Sequence, residues 1–185
     1  GNLVVNMANE SVIEVLRPLT GSLNSFESGG AINLNGGAKF ATSLLETGFS
    51  AGLGININLN GQEGIFRAEK SNLTSNGGAV SIRSNSSKSL VELSFSTIRS
   101  ANGAVIALPL TESDVVLNNS RVFGGNGNIN FNVAPNGSVG KVEITDSVLD
   151  TNGAVNVSAS INTQKGMSKV QKTSVRAGGA ATVRT

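Results

Sequence analysis

Acidic residues are the only side chains in this sequence that could carry acid–base chemistry. The 185 residues include no His and no Cys, which removes the usual general base, the thiol nucleophile and the commonest zinc ligands. Two close carboxylate pairs remain, Glu112 with Asp114 and Asp146 with Asp150. Such pairs support lyase or glycosidase chemistry when one member acts as acid and the other as base. Because the sequence has few insertions and no Tyr or Trp to form a substrate platform, it predicts a protein that is not an enzyme.

Hydroxyl side chains recur at regular spacing, each two positions before an apolar residue, but no His is present to activate them. We therefore interpret them as a structural stack of hydrogen-bonding hydroxyls at a corner of the fold. No group of residues matches a metal site, so the sequence predicts neither a metal nor a cofactor. The hydroxyl residues are Ser43, Ser71, Ser96, Ser120, Ser147 and Thr173.

This spacing reflects a repeat that runs through the whole chain. The string GGAINL at 29–34 returns as GGAVSI at 77–82 and as NGAVNV at 152–157. Apolar residues at alternate positions indicate strands with one buried face, and the Gly-Gly or Asn-Gly before each strand favours a tight turn. The first apolar residues of the copies follow one another at intervals of 23 to 26 residues and are Ile32, Ile57, Val80, Val105, Ile129, Val155 and Ala181.

A repeat of this length predicts an all-β, single-domain parallel β-helix, a solenoid of about seven to eight coils of about 25 residues with three short strands per coil. Helical repeats are disfavoured because the segments are rich in Asn, Gly and β-branched residues. We expect one domain over 1–185, with an irregular first coil at 1–27 and regular coils at 28–185. Since the chain starts and stops within the repeat, we expect a piece of a longer solenoid. A capping-box pattern at 11–14 leaves a short helix as the alternative to a strand there.

The pattern apolar-x-apolar-x-x-Ser-x-apolar, then a turn and Gly-Ala-apolar, is complete in KVEITDSVLDTNGAVNV at 141–157. It resembles the right-handed parallel β-helix superfamily, which includes pectate lyases, phage tailspikes and the passenger domains of autotransporter adhesins. The resemblance covers nearly the whole chain. Within the superfamily, the pattern is most similar to that of the autotransporter passenger domains. It implies the fold and its handedness but not a function, because unrelated activities share this scaffold. The calcium-binding aspartate clusters of pectate lyases have no counterpart in this sequence.

The residue between the two inward apolar positions of each repeat is expected to face outward and is mostly Asn, Ser or Thr. Such an outward polar ladder could bind a repetitive partner, such as a glycan, ice or another rod, or could simply be a soluble surface. The ladder is interrupted by Ile106, which with Leu108 and Leu110 forms a candidate protein contact patch. The alternative for that stretch is a bulge or an extra loop over the core. The ladder residues are Asn33, Asn58, Ser81, Asn130, Asn156 and Thr182.

Charge and hydropathy exclude several partners. Charged residues are 14% of the chain and the net charge is +2, which argues against a nucleic-acid partner. No apolar run reaches the roughly 18 residues of a membrane span. Basic residues gather after Asp150, which suits either an anionic partner or a mild charge gradient on a solvated surface. These residues are Lys165, Lys169, Lys172, Arg176 and Arg184.

Three functions remain. The first is a non-catalytic structural and adhesive module of a bacterial secreted or autotransporter-like adhesin, at the cell surface, with a host glycan, a host protein or another copy as partner. The absence of Cys suits export through an oxidising periplasm. The second is a segment of a bacteriophage tail or capsid fibre in a virion, which would need a lengthwise apolar stripe. The third is a polysaccharide lyase or hydrolase, which would need an exposed carboxylate pair flanked by Arg or Lys.

Overall fold

The computed structural model describes residues 1–6, 11–15, 24–36, 39–108, 112–133, 140–159 and 167–184. Regular structure in these ranges is β-strand, and they contain no helix. None of the described residues therefore forms a helix with the length and hydropathy needed to cross a membrane. The segment at 11–15 is a strand, so the capping-box helix considered for it is wrong.

Each coil contributes one strand in turn to three parallel sheets. Sheet 1 contains β1 (Leu3–Asn6), β4 (Ala31–Asn35), β7 (Gly54–Leu59), β10 (Val80–Ser84), β13 (Ala104–Leu108), β16 (Ile129–Val133), β19 (Val155–Ala159) and β22 (Ala181–Arg184). Sheet 2 contains β2 (Ser11–Val15), β5 (Lys39–Leu45), β8 (Glu63–Glu69), β11 (Lys88–Ser94), β14 (Glu112–Asn118), β17 (Gly140–Thr145) and β20 (Met167–Gln171). Sheet 3 contains β3 (Asn24–Ser28), β6 (Thr47–Ala51), β9 (Asn72–Ser75), β12 (Thr97–Ser100), β15 (Arg121–Phe123), β18 (Val148–Thr151) and β21 (Ser174–Ala177).

The chain is a parallel β-solenoid of about six coils of about 25 residues, which confirms the predicted fold class. The seven to eight coils expected from the sequence are slightly too many. The prediction counts every copy of the first strand of the repeat, and the last copy, β22, has no following strand of sheet 2 or sheet 3 among the described residues.

The core consists of inward side chains stacked on like side chains of the next coil. In sheet 1, Ile32 pairs with Ile55 and Ile55 with Val80, and each is at most 1% exposed. Burying one such side chain contributes about 1.5–3 kcal/mol. Because these contacts run between coils, each coil depends on its neighbours for its buried surface.

In β7 the strand pairing is shifted by two residues relative to the repeat predicted from the sequence. Ile55, and not Ile57, continues the column that starts at Ile32. A displacement of two residues preserves the alternation of the strand, so Ile57 is still buried and Asn58 still faces outward. Asn58 consequently lies one column away from the position predicted for it.

In β13 the strand pairing is shifted by one residue relative to the predicted repeat. Ala104, and not Val105, pairs with Val80. The turn ends one residue earlier than predicted, at Gly103, which adopts a φ of +101°. A displacement of one residue exchanges the two faces of a strand, so Val105 faces outward and Ile106 lies in the core with 1% exposure.

The corner between sheets 2 and 3 is built from a residue with positive φ followed by an inward Ser or Thr. Positive φ is uncommon for residues other than Gly, and here it recurs with φ between 47° and 51° at each of the six described corners of this kind. The recurrence of this conformation makes the corner the most regular feature of the solenoid. The residues concerned are Glu46, Lys70, Phe95, Asn119, Asp146 and Lys172, and we call them the corner column.

The corner between sheets 3 and 1 is glycine-rich because successive coils approach closely there. A Cβ atom on Gly78 would overlap the carbonyl oxygen of Leu53 in the preceding coil. A Cβ atom on Gly29, in contrast, would meet no atom within 4 Å. Glycine is therefore required at particular positions of this corner, such as Gly78, and not at every glycine.

Candidate functional site

The outer face of sheet 1 carries two parallel columns of mostly polar side chains, which we call the asparagine face. The first column, in order of coils, is Val4, Asn33, Asn56, Ser81, Val105, Asn130, Asn156 and Thr182. The second column is Asn6, Asn35, Asn58, Arg83, Ala107, Asn132, Ser158 and Arg184. Neighbouring positions in a column are about 4.8 Å apart.

Amide groups of the asparagine face are joined along the columns by hydrogen bonds of 2.7 to 2.9 Å. In each bond the Nδ2 atom donates to the Oδ1 atom of the preceding coil. The second N–H and the second acceptor position of each amide are not used by this bond and are oriented by it. The bonded pairs, donor first, are Asn35 with Asn6, Asn58 with Asn35, Asn56 with Asn33, and Asn156 with Asn130.

The structure places most of the predicted outward polar ladder on this face. Asn33, Asn130, Asn156 and Thr182 are half-buried and share the first column, and Asn58 lies in the second. Ser81 is also in the first column but is only 7% exposed, and its Oγ accepts a hydrogen bond of 2.9 Å from Arg83 Nε. The binding role of the ladder stays a prediction.

The candidate contact patch is wrong for the two residues that the structure describes. Ile106 and Leu108 are 1% and 0% exposed, respectively. Ile106 pairs with Ile82 on one side and Phe131 on the other, both buried, because the strand begins one residue earlier than predicted. Leu110 lies outside the described residues.

The repeated hydroxyls form a closed column of hydrogen bonds at the corner between sheets 2 and 3. Ser96 Oγ accepts the backbone N–H of Ser71 at 3.1 Å and donates to the carbonyl of Ser94 at 2.8 Å. The same arrangement holds for Ser71, Ser120 and Ser147, all buried. These bonds support the structural interpretation of the stack. Ser43 is exposed and does not belong to it, and Thr47 takes its place.

Glu112 and Asp114 lie at a shallow groove of about 260 Å³ on the outer face of sheet 2. Glu112 Oε2 is 3.5 Å from Lys88 Nζ, so this carboxylate has an ion-pair partner. Burial raises the pKa of the Asp114 carboxyl above its ordinary value of 3.8, although a hydrogen bond from the Lys141 backbone opposes the change. Ile65 and Leu90 contribute apolar side chains to the lining, and Glu63 and Lys88 contribute charged ones.

Asp146 and Asp150 occupy different parts of the coil. Asp146 is an exposed member of the corner column, whereas Asp150 is on β18 with its Oδ2 3.6 Å from Arg176 Nη1. One carboxylate of the pair is thus directed toward the next coil. Neither predicted pair forms a groove flanked by free basic residues.

Opposite charges on the outer faces stack from coil to coil. The clearest case is Glu143, whose side chain is 2.7 Å from Lys141 Nζ and 3.1 Å from Lys169 Nζ. Hydrogen bonds from these two ammonium groups lower the pKa of Glu143 below its ordinary value of 4.5. The other pairs, with N–O distances of 3.0 to 3.8 Å, are Arg67 with Glu92, Lys70 with Glu46, Lys88 with Glu112, and Arg176 with Asp150.

This pairing bears on the basic residues late in the sequence. Lys169 and Arg176 are engaged in ion pairs, so they are less available to an anionic partner than predicted. Lys172 and Arg184 are exposed, and Lys165 lies outside the described residues.

Two features of the surface were missed from the sequence. Phe95 is 58% exposed and adopts a φ of 51° in the corner column, where the other members are polar or charged. On the outer face of sheet 3, the guanidinium carbon of Arg99 lies 4.6 Å from the centroid of the Phe123 ring. In the sequence, the feature that identifies Phe95 as a corner residue is its position directly before the repeated hydroxyl residue Ser96.

Among the described residues there is no cluster of three or more His, Cys, Asp or Glu side chains that could hold a metal ion. No protein-family model matches the chain, and the searches of curated proteins and of solved structures gave no match.

Proposed function

We propose that this chain is a non-catalytic structural and adhesive module of a bacterial secreted or autotransporter-like adhesin, of the right-handed parallel β-helix type, displayed at the cell surface. Its regular coils supply a rod. Its outward carboxylates Glu112, Glu143 and Asp150 have basic partners, which leaves them poorly suited to general acid–base catalysis.

The observation that carries this proposal is the asparagine face. Its amides are held in fixed directions by bonds between coils, so little conformational entropy is lost when they bind a ligand. Their repeat of about 4.8 Å lets amides of successive coils contact successive units of a sugar chain that lies along the rod. Each amide offers at least one donor and one acceptor to hydroxyl groups. A neutral, linear glycan lying along the rod is the partner that this geometry suits best.

The test is binding of the chain to an array of neutral glycans that includes linear β-1,4-linked hexasaccharides, and to cultured epithelial cells. In the variant N56T/N130T/N156T the amides are lost, while Thr favours the strand conformation. We expect binding to fall at least tenfold. The matched control S43A/S94A changes outward side chains of sheet 2 and should bind like the unmodified chain.

Two results would overturn the proposal. One is the absence of binding by the unmodified chain to every glycan and cell type. The other is release of shortened oligosaccharides from a polysaccharide substrate, which would indicate a lyase or hydrolase.

A segment of a bacteriophage tail or capsid fibre, located in the virion, is the second candidate. It is favoured by a short outward apolar column on sheet 2, in which Ala41 pairs with Ile65 and Ile65 with Leu90. The column ends at Asp114, so the apolar stripe is shorter than the rod. Analytical ultracentrifugation distinguishes the two functions, since a stable trimer that Leu90→Asp dissociates would favour the fibre.

A further inference from the structure

Arg99 and Arg121 differ from most other outward cations of the protein. Six described Lys and Arg residues have a carboxylate oxygen within 4.0 Å, generally in a neighbouring coil. Within the described part of the chain, no carboxylate lies this close to the guanidinium of Arg99 or Arg121, and both residues are exposed. These two are also the only unpaired cations among the described residues that stand side by side on one sheet.

The two arginines are diagonal neighbours on the outer face of sheet 3. Arg121 is in register with Thr97, and Arg99 is in register with Phe123. Their α-carbons are therefore about 8 Å apart, given the spacing of strands and of alternate residues. Two like charges at this distance repel each other, and the protein supplies no counter-charge in contact. The pair is suited to holding an anion from outside.

Arg99 is already oriented by the protein. Its guanidinium carbon lies 4.6 Å from the centroid of the Phe123 ring, within the range of a cation–π interaction. A guanidinium held in this way loses less freedom on binding than a free side chain. Its N–H groups form a fork that matches two oxygens of a carboxylate or a sulfate.

Phe95 supplies an apolar surface at the edge of the same patch. It stands two residues before Thr97, the register partner of Arg121. Phe95 is 58% exposed, so it gains little from burial, and it adopts the φ of 51° of the corner column, which is uncommon for a bulky residue. Because the other members of the corner column share this φ, what distinguishes Phe95 is an exposed apolar side chain at a position that is polar or charged in the other coils.

The polar surroundings favour a saccharide over a protein. Exposed amides of Asn72 and Asn119 lie in the coils on either side and can bond to hydroxyl groups. The patch covers about 130 Å², taken as two strand spacings by four residues. A stable protein interface buries about 800 Å² on each partner, so the patch is too small for one. In the following coil, Asp150 is paired with Arg176, and the exposed Asp146 marks the limit of the patch.

We infer that the outer face of sheet 3 around Arg99 and Arg121 binds an acidic saccharide. The carboxylate or sulfate of the sugar lies between the two guanidinium groups, and a pyranose ring packs its C–H face against Phe95. This site goes beyond the proposed function, because it is on a different sheet from the asparagine face and takes a charged ligand.

The test is titration calorimetry with three hexasaccharides, one carrying uronic carboxylates, one carrying sulfates and one neutral. We expect binding of at least one acidic probe and at least tenfold weaker binding of the neutral one. The variant R99Q/R121Q should weaken the acidic interaction at least tenfold. The control R67Q/K88Q removes the same charge from sheet 2 and should stay within twofold of the unmodified chain. The two acidic probes distinguish carboxylate from sulfate as the recognised group.

The variant Phe95→Asn separates a loss of binding from a loss of folding. Asn tolerates positive φ better than Phe, so the thermal midpoint should rise by about 2–4 °C. Affinity for the acidic probe should nevertheless fall at least fivefold.

Four results would overturn the inference: no binding of either acidic probe, an equal loss in R67Q/K88Q, undiminished binding in Phe95→Asn, and tighter binding of single-stranded oligonucleotides or anionic vesicles than of the saccharides. The variants of the asparagine face are separate, so failure here leaves the proposed function open to its own test.

Discussion

The backbone N–H of Ser71 donates to the Oγ of Ser96, one coil further along the rod, at 3.1 Å. The corner needs this bond because Lys70 adopts positive φ, which turns the chain out of sheet 2 before sheet 3 begins. Both Ser71 and Ser96 are buried, so water cannot replace either partner. The hydroxyl column thus completes the hydrogen bonding of one coil with a side chain from the next.

Replacing Ser96 with Ala leaves the N–H of Ser71 buried without a partner. An unsatisfied buried donor costs about 1–3 kcal/mol, and we expect the free energy of unfolding to fall by that amount. Urea denaturation measures the change. Ser50→Ala is the control, because Ser50 faces outward on β6, and it should stay within about 0.5 kcal/mol of the unmodified chain. Equal losses in the two variants would contradict a special role for the column.

Replacing Gly78 with Ala places a methyl group on the carbonyl oxygen of Leu53. The backbone of one coil or the other must move, and we expect a loss of more than about 3 kcal/mol or a failure to fold. Gly29→Ala makes the same substitution where no atom lies within 4 Å of the new Cβ. Circular dichroism and urea denaturation should show a native-like protein for Gly29→Ala. A stable Gly78→Ala protein would mean that the coils are further apart at this corner.

Substitutions in β13 test its register. Ile106→Ala removes a side chain that is 1% exposed and should lower the free energy of unfolding by about 2–5 kcal/mol. Val105→Ala changes an outward position of the same strand and should cost about 1 kcal/mol or less. Urea unfolding of the two variants gives the comparison. A larger loss for Val105→Ala than for Ile106→Ala would instead support the register expected from the sequence, in which Ile106 faces outward.

Two carboxyls should give opposite dependence of stability on pH. Burial raises the pKa of Asp114, so the folded state binds its proton more tightly than the unfolded state, and stability is lost as pH rises from 3.8 through the raised value. Asp114→Asn should therefore raise the urea midpoint at pH 7 and leave it unchanged well below 3.8. In contrast, the lowered pKa of Glu143 gives stability that is present above 4.5 and lost as pH falls through the lowered value.

Glu143→Gln should accordingly lower the midpoint at pH 7, with the difference disappearing in acid. Urea titrations of both variants at several pH values provide the measurement. Shifts of the same sign at pH 7 would show that one of the two environments is assigned wrongly.

The fold could be predicted from the sequence because the alternation of buried and exposed positions and the length of the repeat can both be recognised from residue types. In β17 the inward residues Val142 and Ile144 alternate with the polar residues Lys141, Glu143 and Thr145, which fixes the buried face. In β13, by contrast, the run AVIAL is apolar at every position, so alternation carries no information there. The turn before β13 ends at Gly103 with a φ of +101°, and a backbone angle cannot be read from residue types.

The candidate site was predicted less completely for a related reason. Which outward side chains become neighbours depends on the length of each coil, and that length varies by a few residues. Asn56 and not Asn58 stands beside Asn33, although both fit the local pattern. Likewise Ser43 and Thr47 both precede apolar residues by two, and only Thr47 follows a residue with positive φ. The juxtaposition of Arg99 with Phe123 arises in the same way from register alone.

The connection from sheet 1 to sheet 2 has no fixed length. Three residues separate β7 from β8, six separate β16 from β17, and seven separate β19 from β20, yet these strands remain in parallel register with those of neighbouring coils. Register is set separately in every coil by the strands and the other two corners. This edge of the rod is therefore where foreign peptides could be grafted, and where evolution could add new loops, without rebuilding the scaffold.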